Sequence, residues 1–212
     1  MGAAMKQSFL AAALFAALAS PAVAQTAPPA PMPKEDLVPV AIDTSLGRIV
    51  VALDRGHAPI TTANFLHYAD THRYDGQYFY RAMHAPDANG ADGGLIQGGI
   101  TTDARNLYPP IAHESTAQTG LHNVTGAISL ANRGAGTATS DFFIMVSDQL
   151  GLDANGPGGD ATGFAAFGHV IEGMDVVRKI WTSPVSPTKG EGALRGQMLD
   201  PKIQIIKVAR AK

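Results

Sequence analysis

The sequence predicts a mainly β domain, either a closed antiparallel barrel or a sandwich. Eight short segments have strand composition or alternation, most of them joined by turn residues, and only two segments show helical periodicity. Strands and helices do not alternate as they would in a parallel βαβ sheet.

The chain opens with Lys6, an apolar run from Phe9 to Ala19 (FLAAALFAALA) and the small-residue site Ala22-Val23-Ala24. A basic start, a short apolar core and an A-x-A site predict a secretory signal peptide over residues 1–24. The apolar run is shorter than the ~20 residues needed to cross a bilayer as a helix. Gln25 to Lys34 (QTAPPAPMPK) is rich in Pro and Ala, so residues 25–36 are expected to form a disordered tether. The folded domain is expected over 37–212.

Val38–Thr44 and Arg48–Asp54 read as strands flanking a Ser45-Leu46-Gly47 turn. A helix follows, with Pro59 in its first turn, Ile60, Ala63 and Leu66 at helical spacing, and Phe65 and Ala69 widening the face. Gln77–Met83 and Leu95–Gln97 are the third and fourth strands, Ala127–Ala131 and Phe142–Val146 the fifth and sixth. Phe164–Ile171 is the seventh. Met174–Trp181 is the second helix, with Met174, Val177 and Trp181 on one face and Arg178 and Lys179 near its C-terminal end, where cations suit the dipole. Lys202–Val208 is the eighth strand. Asp87–Gly94 and Asp153–Gly163 are expected to be long loops near a site.

Composition narrows the function. The formal charge is −2 and the basic residues do not cluster, which argues against nucleic acid or anionic lipid as a partner. The absence of cysteine excludes a disulfide framework, a lipid-modified N-terminal cysteine and thiol chemistry. Past the leader no segment is long enough to be a transmembrane helix. An exported, soluble protein is expected, in a periplasm or alternatively in the medium.

The chain has no G-x-S-x-G elbow, H-E-x-x-H pair or P-loop. His67 and His72 are five apart, a spacing that does not put them well on one helix face. The Asp87 and Asp153–Asp160 loops carry oxygen ligands but lack the twelfth-position glutamate of a calcium loop, and Asn or Asp beside Gly is a turn former. No metal or other cofactor is expected. Arg81 interrupts the aromatic segment Tyr78-Phe79-Tyr80, and strict alternation puts Phe79 and Arg81 on one face. Gln97 ends a short apolar strand. The small-residue stretch from Asn132 to Ser140 runs straight into Phe142-Phe143.

Taken together, Phe79-Tyr80-Arg81-Ala82-Met83, Leu95-Ile96-Gln97-Gly98-Gly99, Gly126–Asn132, Ser140–Ile144 and Phe167–Met174 resemble the cyclophilin family of peptidyl-prolyl isomerases, and bacterial exported members in particular. The similarity runs in order from about Val40 to Val208. It implies an eight-stranded antiparallel β-barrel capped by two α-helices, with a groove on its outer wall, and an enzyme that rotates X–Pro bonds. By this resemblance Arg81 matches the catalytic arginine and Gln97 the glutamine that positions it. Phe143 matches the floor of the proline pocket, with Leu95 and Leu152 at its hydrophobic positions. Ala131 and Asn132 match the segment that binds the peptide chain. The implied partners are proline-containing and unfolded exported polypeptides, and a monomer is expected.

The sequence departs from the family at several of these positions. Asp141 stands where a glutamine is usual, either to pair with Arg81 or to face the substrate amide. Gly94 replaces a pocket phenylalanine, and Phe164 a histidine. Leu150-Gly151-Leu152 lacks the tryptophan that binds cyclosporin. The alternative reading keeps the groove as a non-catalytic site, in a chaperone or scaffold that holds prolyl segments.

Overall fold

The computed structural model describes residues 34–87, 90–101 and 103–211; the expected signal peptide, and the tether as far as residue 33, lie outside them. Lys34 to Asp36 lead into the first strand, and Asp36 pairs with Arg55 at 2.8 Å.

The strands are β1 (Leu37–Thr44), β2 (Gly47–Asp54), β3 (Tyr78–Pro86), β4 (Asp92–Gly99), β5 (Ala127–Leu130), β6 (Phe142–Met145), β7 (Ala165–Glu172), β8 (Val185–Ser186) and β9 (Met198–Arg210). They are ordered β1-β2-β7-β5-β6-β4-β3-β9, and β9 returns to pair with β1, so eight strands close an antiparallel barrel; the two-residue β8 hangs on β9. The helices are α1 (Pro59–Asp70), the single turn α2 (Thr116–Thr119) and α3 (Met174–Trp181). The expected long loop from Asp87 to Gly94 is shorter than predicted. β3 runs on to Pro86 and β4 begins at Asp92, with Met83↔Leu95 and Pro86↔Asp92 still in register.

Closure removes the exposed edges of an open sheet and creates an inside. Two rows of cross-strand partners fill it. Phe79, Gly98, Phe142 and Leu130 form one, and Ala82, Ile96, Ile144 and Ile128 the next. Every side chain in these rows is fully buried. Gly98 makes room within its row, since a Cβ there would stand 2.9 Å from the Phe79 ring.

α1 adds Phe65, which packs against Phe142 edge-on at 5.2 Å and against Phe167 at 5.5 Å. The buried face of α1 carries Thr61, Phe65, Leu66, Tyr68 and Ala69, and Ile60 is 44% exposed. The expected face, begun at Ile60 and Ala63, is therefore rotated away from solvent-facing Ile60. α3 buries Val176, Val177, Ile180 and Trp181, with Met174 only partly covered. Among the described residues no helix is long and apolar enough to cross a membrane.

Candidate active site

The site forms on the outer wall of the barrel, and a β-bulge puts it there. The β3–β4 register shifts between Phe79 and Arg81. Phe79 and Ala82, three residues apart, both point inward as a result, and Arg81 points outward. Strict alternation would have put Phe79 and Arg81 on one face; the extra residue of the bulge reverses that expectation.

Beyond the bulge the outward residues line up across four strands. Arg81 on β3 is opposite Gln97 on β4, Gln97 is opposite Phe143 on β6, and Phe143 is opposite Ser129 on β5. The next outward row is Met83, Leu95 and Met145. With strands spaced ~4.8 Å apart, Arg81 and Phe143 stand about 10 Å apart along the row, with Gln97 between them.

The guanidinium is held at two points. Arg81 Nη1 donates to Gln97 Oε1 at 2.9 Å, and Nε donates to Gln197 Oε1 at 2.8 Å. Gln197, one residue before β9, is itself fixed: its side-chain amide donates to the Ala193 carbonyl at 2.8 Å, and its own carbonyl accepts from the Ala82 N–H at 2.9 Å. These bonds leave Nη2 as the nitrogen committed to neither glutamine. Burial draws the Arg81 pKa down from the usual arginine value. Arginine nevertheless starts high enough to stay cationic at neutral pH.

On one side of Arg81 lies an apolar cluster. Leu95, Ala127, Phe143 and Met145 are buried in it, and Met83, Ala131, Leu152 and Phe164 pack over them partly exposed. The Phe164 ring meets Phe143 edge-on at 5.2 Å. Leu152 sits at the end of a 3-10 turn, Leu150–Leu152, and its carbonyl accepts from the Phe164 N–H at 2.9 Å. At Gly94 the backbone φ is +139°, and a Cβ would collide with the Met83 carbonyl oxygen. This backbone geometry has no room for a side chain at that position.

On the other side lies a cavity of about 660 Å³, lined among others by Tyr80, Arg81, Gln97, Ala131, Asn132 and Asp141. Asp141 turns away from Arg81. Its Oδ2 accepts from the Tyr80 hydroxyl at 2.9 Å and its Oδ1 from Ser140 at 3.3 Å. Burial raises the Asp141 pKa, against the lowering effect of those two donors and of the Arg133 charge. Burial, reinforced by the Asp141 charge, pushes the Tyr80 phenol upward too, so it stays protonated and donates. Of the two roles open to Asp141, pairing with Arg81 is not the one adopted. Asn132 braces the loop that follows β5: its amide donates to the Gly163 carbonyl at 3.3 Å and its Oδ1 accepts from the Gly134 N–H.

The fold thus gathers all nine expected residues at one stretch of wall. Arg81, Gln97, Asn132 and Asp141 belong to the cavity, Leu95, Phe143, Leu152 and Phe164 to the apolar cluster, and Ala131 to both. Sequence reading missed Gln197, because Gly-Gln-Met in a glycine-rich segment carries no pattern that aims it at Arg81. It also left Tyr80 without a role, although its place beside Arg81 was a signal.

Residues 39–209 match the family described as cyclophilin-type peptidyl-prolyl cis-trans isomerase/CLD. The chain is 37% identical over 145 residues to peptidyl-prolyl cis-trans isomerase A of Dickeya dadantii, spanning 66% of this chain and 70% of that one. It is 35% identical over 145 residues to isomerase B of Escherichia coli, spanning 66% and 82%. In three dimensions it is similar to a cyclophilin-type isomerase of Cryptosporidium parvum, with a TM-score of 0.64 over 84% of this chain and 99% of the other at 20% identity. A second crystal structure of that protein, obtained in the presence of the dipeptide Ala-Pro, gives a TM-score of 0.63 over 82% of this chain and 99% of the other at 19% identity.

Proposed function

The chain belongs to the cyclophilin-type peptidyl-prolyl cis-trans isomerases, and we propose that it accelerates X–Pro rotation in exported polypeptides with Arg81 as the catalytic group. The observation that carries this reading is a guanidinium held by two neutral side-chain oxygens at the rim of an apolar cluster floored by Phe143.

Amide resonance sets a barrier of ~20 kcal/mol to X–Pro rotation, so the uncatalysed step takes tens to hundreds of seconds. No bond need break. In the twisted transition state the imide nitrogen pyramidalises and gains a lone pair. A prolyl ring seated over Phe143 brings that nitrogen to the side of the row where Arg81 stands. The Nη2 edge of the guanidinium then donates a hydrogen bond that the planar ground state cannot accept, which is selective binding of the transition state. A charge-assisted bond of this kind contributes ~2–3 kcal/mol, or about two decades in rate.

Leu95, Leu152 and Phe164 grip the ring beside Phe143. Ala131 and Asn132 anchor the peptide chain, and Gln97 and Asp141 shape the cavity it crosses. The pattern over residues 1–24 supports work in an exported compartment, periplasmic or extracellular, on unfolded clients and as a monomer. Rotation without ATP suits such a compartment.

The test is cis/trans exchange of a short Ala-Pro peptide measured by NMR without a coupling protease, using residues 25–212 and the Arg81→Ala variant. Wild type should accelerate exchange, and the variant should lose about two decades of kcat/KM while still binding the peptide. Peptide binding with exchange at the uncatalysed rate would leave only the non-catalytic chaperone or scaffold reading.

A further inference from the structure

Behind the apolar cluster lies a buried polar chain to which the proposed mechanism assigns no part. Asp153 is 7% exposed and Asn123 is fully buried. Asp153 Oδ1 accepts from both the backbone N–H and the side-chain amide of Asn123, at 2.8 and 2.6 Å. Asp153 Oδ2 meets His122 Nδ1 at 2.7 Å, and this histidine forms the solvent end of the chain, 58% exposed. Asn123 Oδ1 accepts from the Ser129 hydroxyl at 2.6 Å, and the Asn123 carbonyl accepts from the Gln149 N–H at 2.8 Å.

Asn123 therefore grasps the 149–153 segment at both ends, at Gln149 through its carbonyl and at Asp153 through two donors. The 3-10 turn between them ends in Leu152, and Leu152 in turn holds the Phe164 backbone. Through Ser129 the same asparagine reaches the strand position opposite Phe143. Three walls of the apolar cluster hang from one hub. A carboxylate at 7% exposure is costly to desolvate, and an apolar residue of similar size would fill the space with less penalty. Two charge-assisted bonds to a single residue also fix direction as well as distance.

From this we infer that Asp153 and Asn123 are positioning residues for prolyl binding: they hold Leu152, Phe164 and the strand behind Phe143 at the spacing that admits a proline ring. The inference rests on the reading of this cluster as the proline pocket. Arg81 is held by a separate set of bonds to Gln97 and Gln197, so disturbing the hub affects binding of the ring more than the chemistry at its nitrogen.

The experiment measures kcat and KM by NMR exchange and, separately, the Kd of an Ala-Pro peptide by chemical-shift titration, on Asp153→Ala, Asp153→Asn and Ser129→Ala. Asp153→Ala should raise KM and Kd about tenfold with kcat within twofold. Asp153→Asn keeps an acceptor for Asn123 and turns its amide to His122, so it should stay within twofold of wild type. Glu114→Ala, which loosens α1 away from this cluster, controls for general loss of stability and should leave Kd unchanged. A folded Asp153→Ala protein with wild-type KM and Kd overturns the inference. If Asp153→Ala does not fold, Ser129→Ala decides: two- to threefold weaker peptide binding supports the hub, and unchanged binding overturns it. Wild type that binds no prolyl peptide at all overturns the reading of the pocket, and the inference falls with it.

Discussion

At Arg81 the two supporting acceptors are neutral. A carboxylate would fix the guanidinium as well but would also neutralise the charge that the proposed mechanism brings to the pyramidal nitrogen. Gln97 and Gln197 fix direction and leave the charge intact. Gln197→Ala should lower kcat/KM about tenfold, less than loss of Arg81 itself, because Gln97 still holds the guanidinium at Nη1. Gln197→Glu should lower it further, because the new carboxylate competes for Arg81; the NMR exchange assay reads both. Asp141 makes a different prediction. Burial lifts its pKa above the ordinary 3.8, so the folded protein holds a proton that the unfolded chain has released. Stability should fall as pH rises from about 3.8 through the raised pKa, and recover as pH falls. Asp141→Asn still accepts from Tyr80 and should abolish that slope, raising Tm at pH 7 but not at pH 4. The same slope in the variant, measured by thermal melts across this range, would rule out burial of Asp141 as its source. Arg81, Gln97 and Phe143 were legible because each sits in a short motif. Gln197 was not, because its contact with Arg81 joins residues 116 apart and depends on closure of the barrel.

Among the elements, α1 shows where periodicity suffices and where it fails. Pro59 marks its start correctly, but Ala58 at the N-cap offers no side-chain acceptor. Glu114, more than fifty residues downstream, takes over: Oε1 accepts from the Ile60 N–H at 3.0 Å, and Oε2 accepts from the Thr61 N–H and hydroxyl at 2.7 Å each. A carboxylate there satisfies orphan donors and meets the positive end of the helix dipole. Glu114→Ala should cost about 1–2 kcal/mol, the size of a lost N-cap, and Glu114→Gln less; chemical denaturation midpoints check both. The same long-range contact helps explain the misread face. Apolar spacing admits Ile60 and Ala63 as well as Phe65 and Leu66, and only the ring partners of Phe65 inside the barrel, with Glu114 at the helix start, choose between them. Strand positions were easier to read because alternation and turn residues are local. The β3 bulge was not, since one extra residue in a strand leaves no local mark.

At the scale of the whole barrel, the first and last strands make the closure. β1 begins at Leu37, and its pairs Ile42↔Val208, Ala41↔Ala209 and Val40↔Arg210 complete the ring. Val208 is fully buried, its N–H donates to Asp75 at 3.0 Å, and Ala211 donates to the Pro39 carbonyl at 2.9 Å. Ending the chain at Lys207 removes all of these, together with the exposed Arg210–Asp70 pair. One buried valine and a few backbone hydrogen bonds amount to about 4 kcal/mol. That is a large fraction of the 5–15 kcal/mol typical of a domain. In a closed barrel the loss should spread beyond the seam, because the strands that pair with Phe143 and Ile144 on the far wall belong to the same ring that β1 and β9 close. Hydrogen exchange on the truncated chain should therefore show protection falling at Ile144 by as much as at Ile42, with a matching drop in Tm. Loss confined to β1 and β9 would mean that the wall carrying Arg81, Gln97 and Phe143 is stable without closure, and that the site depends on its four strands alone.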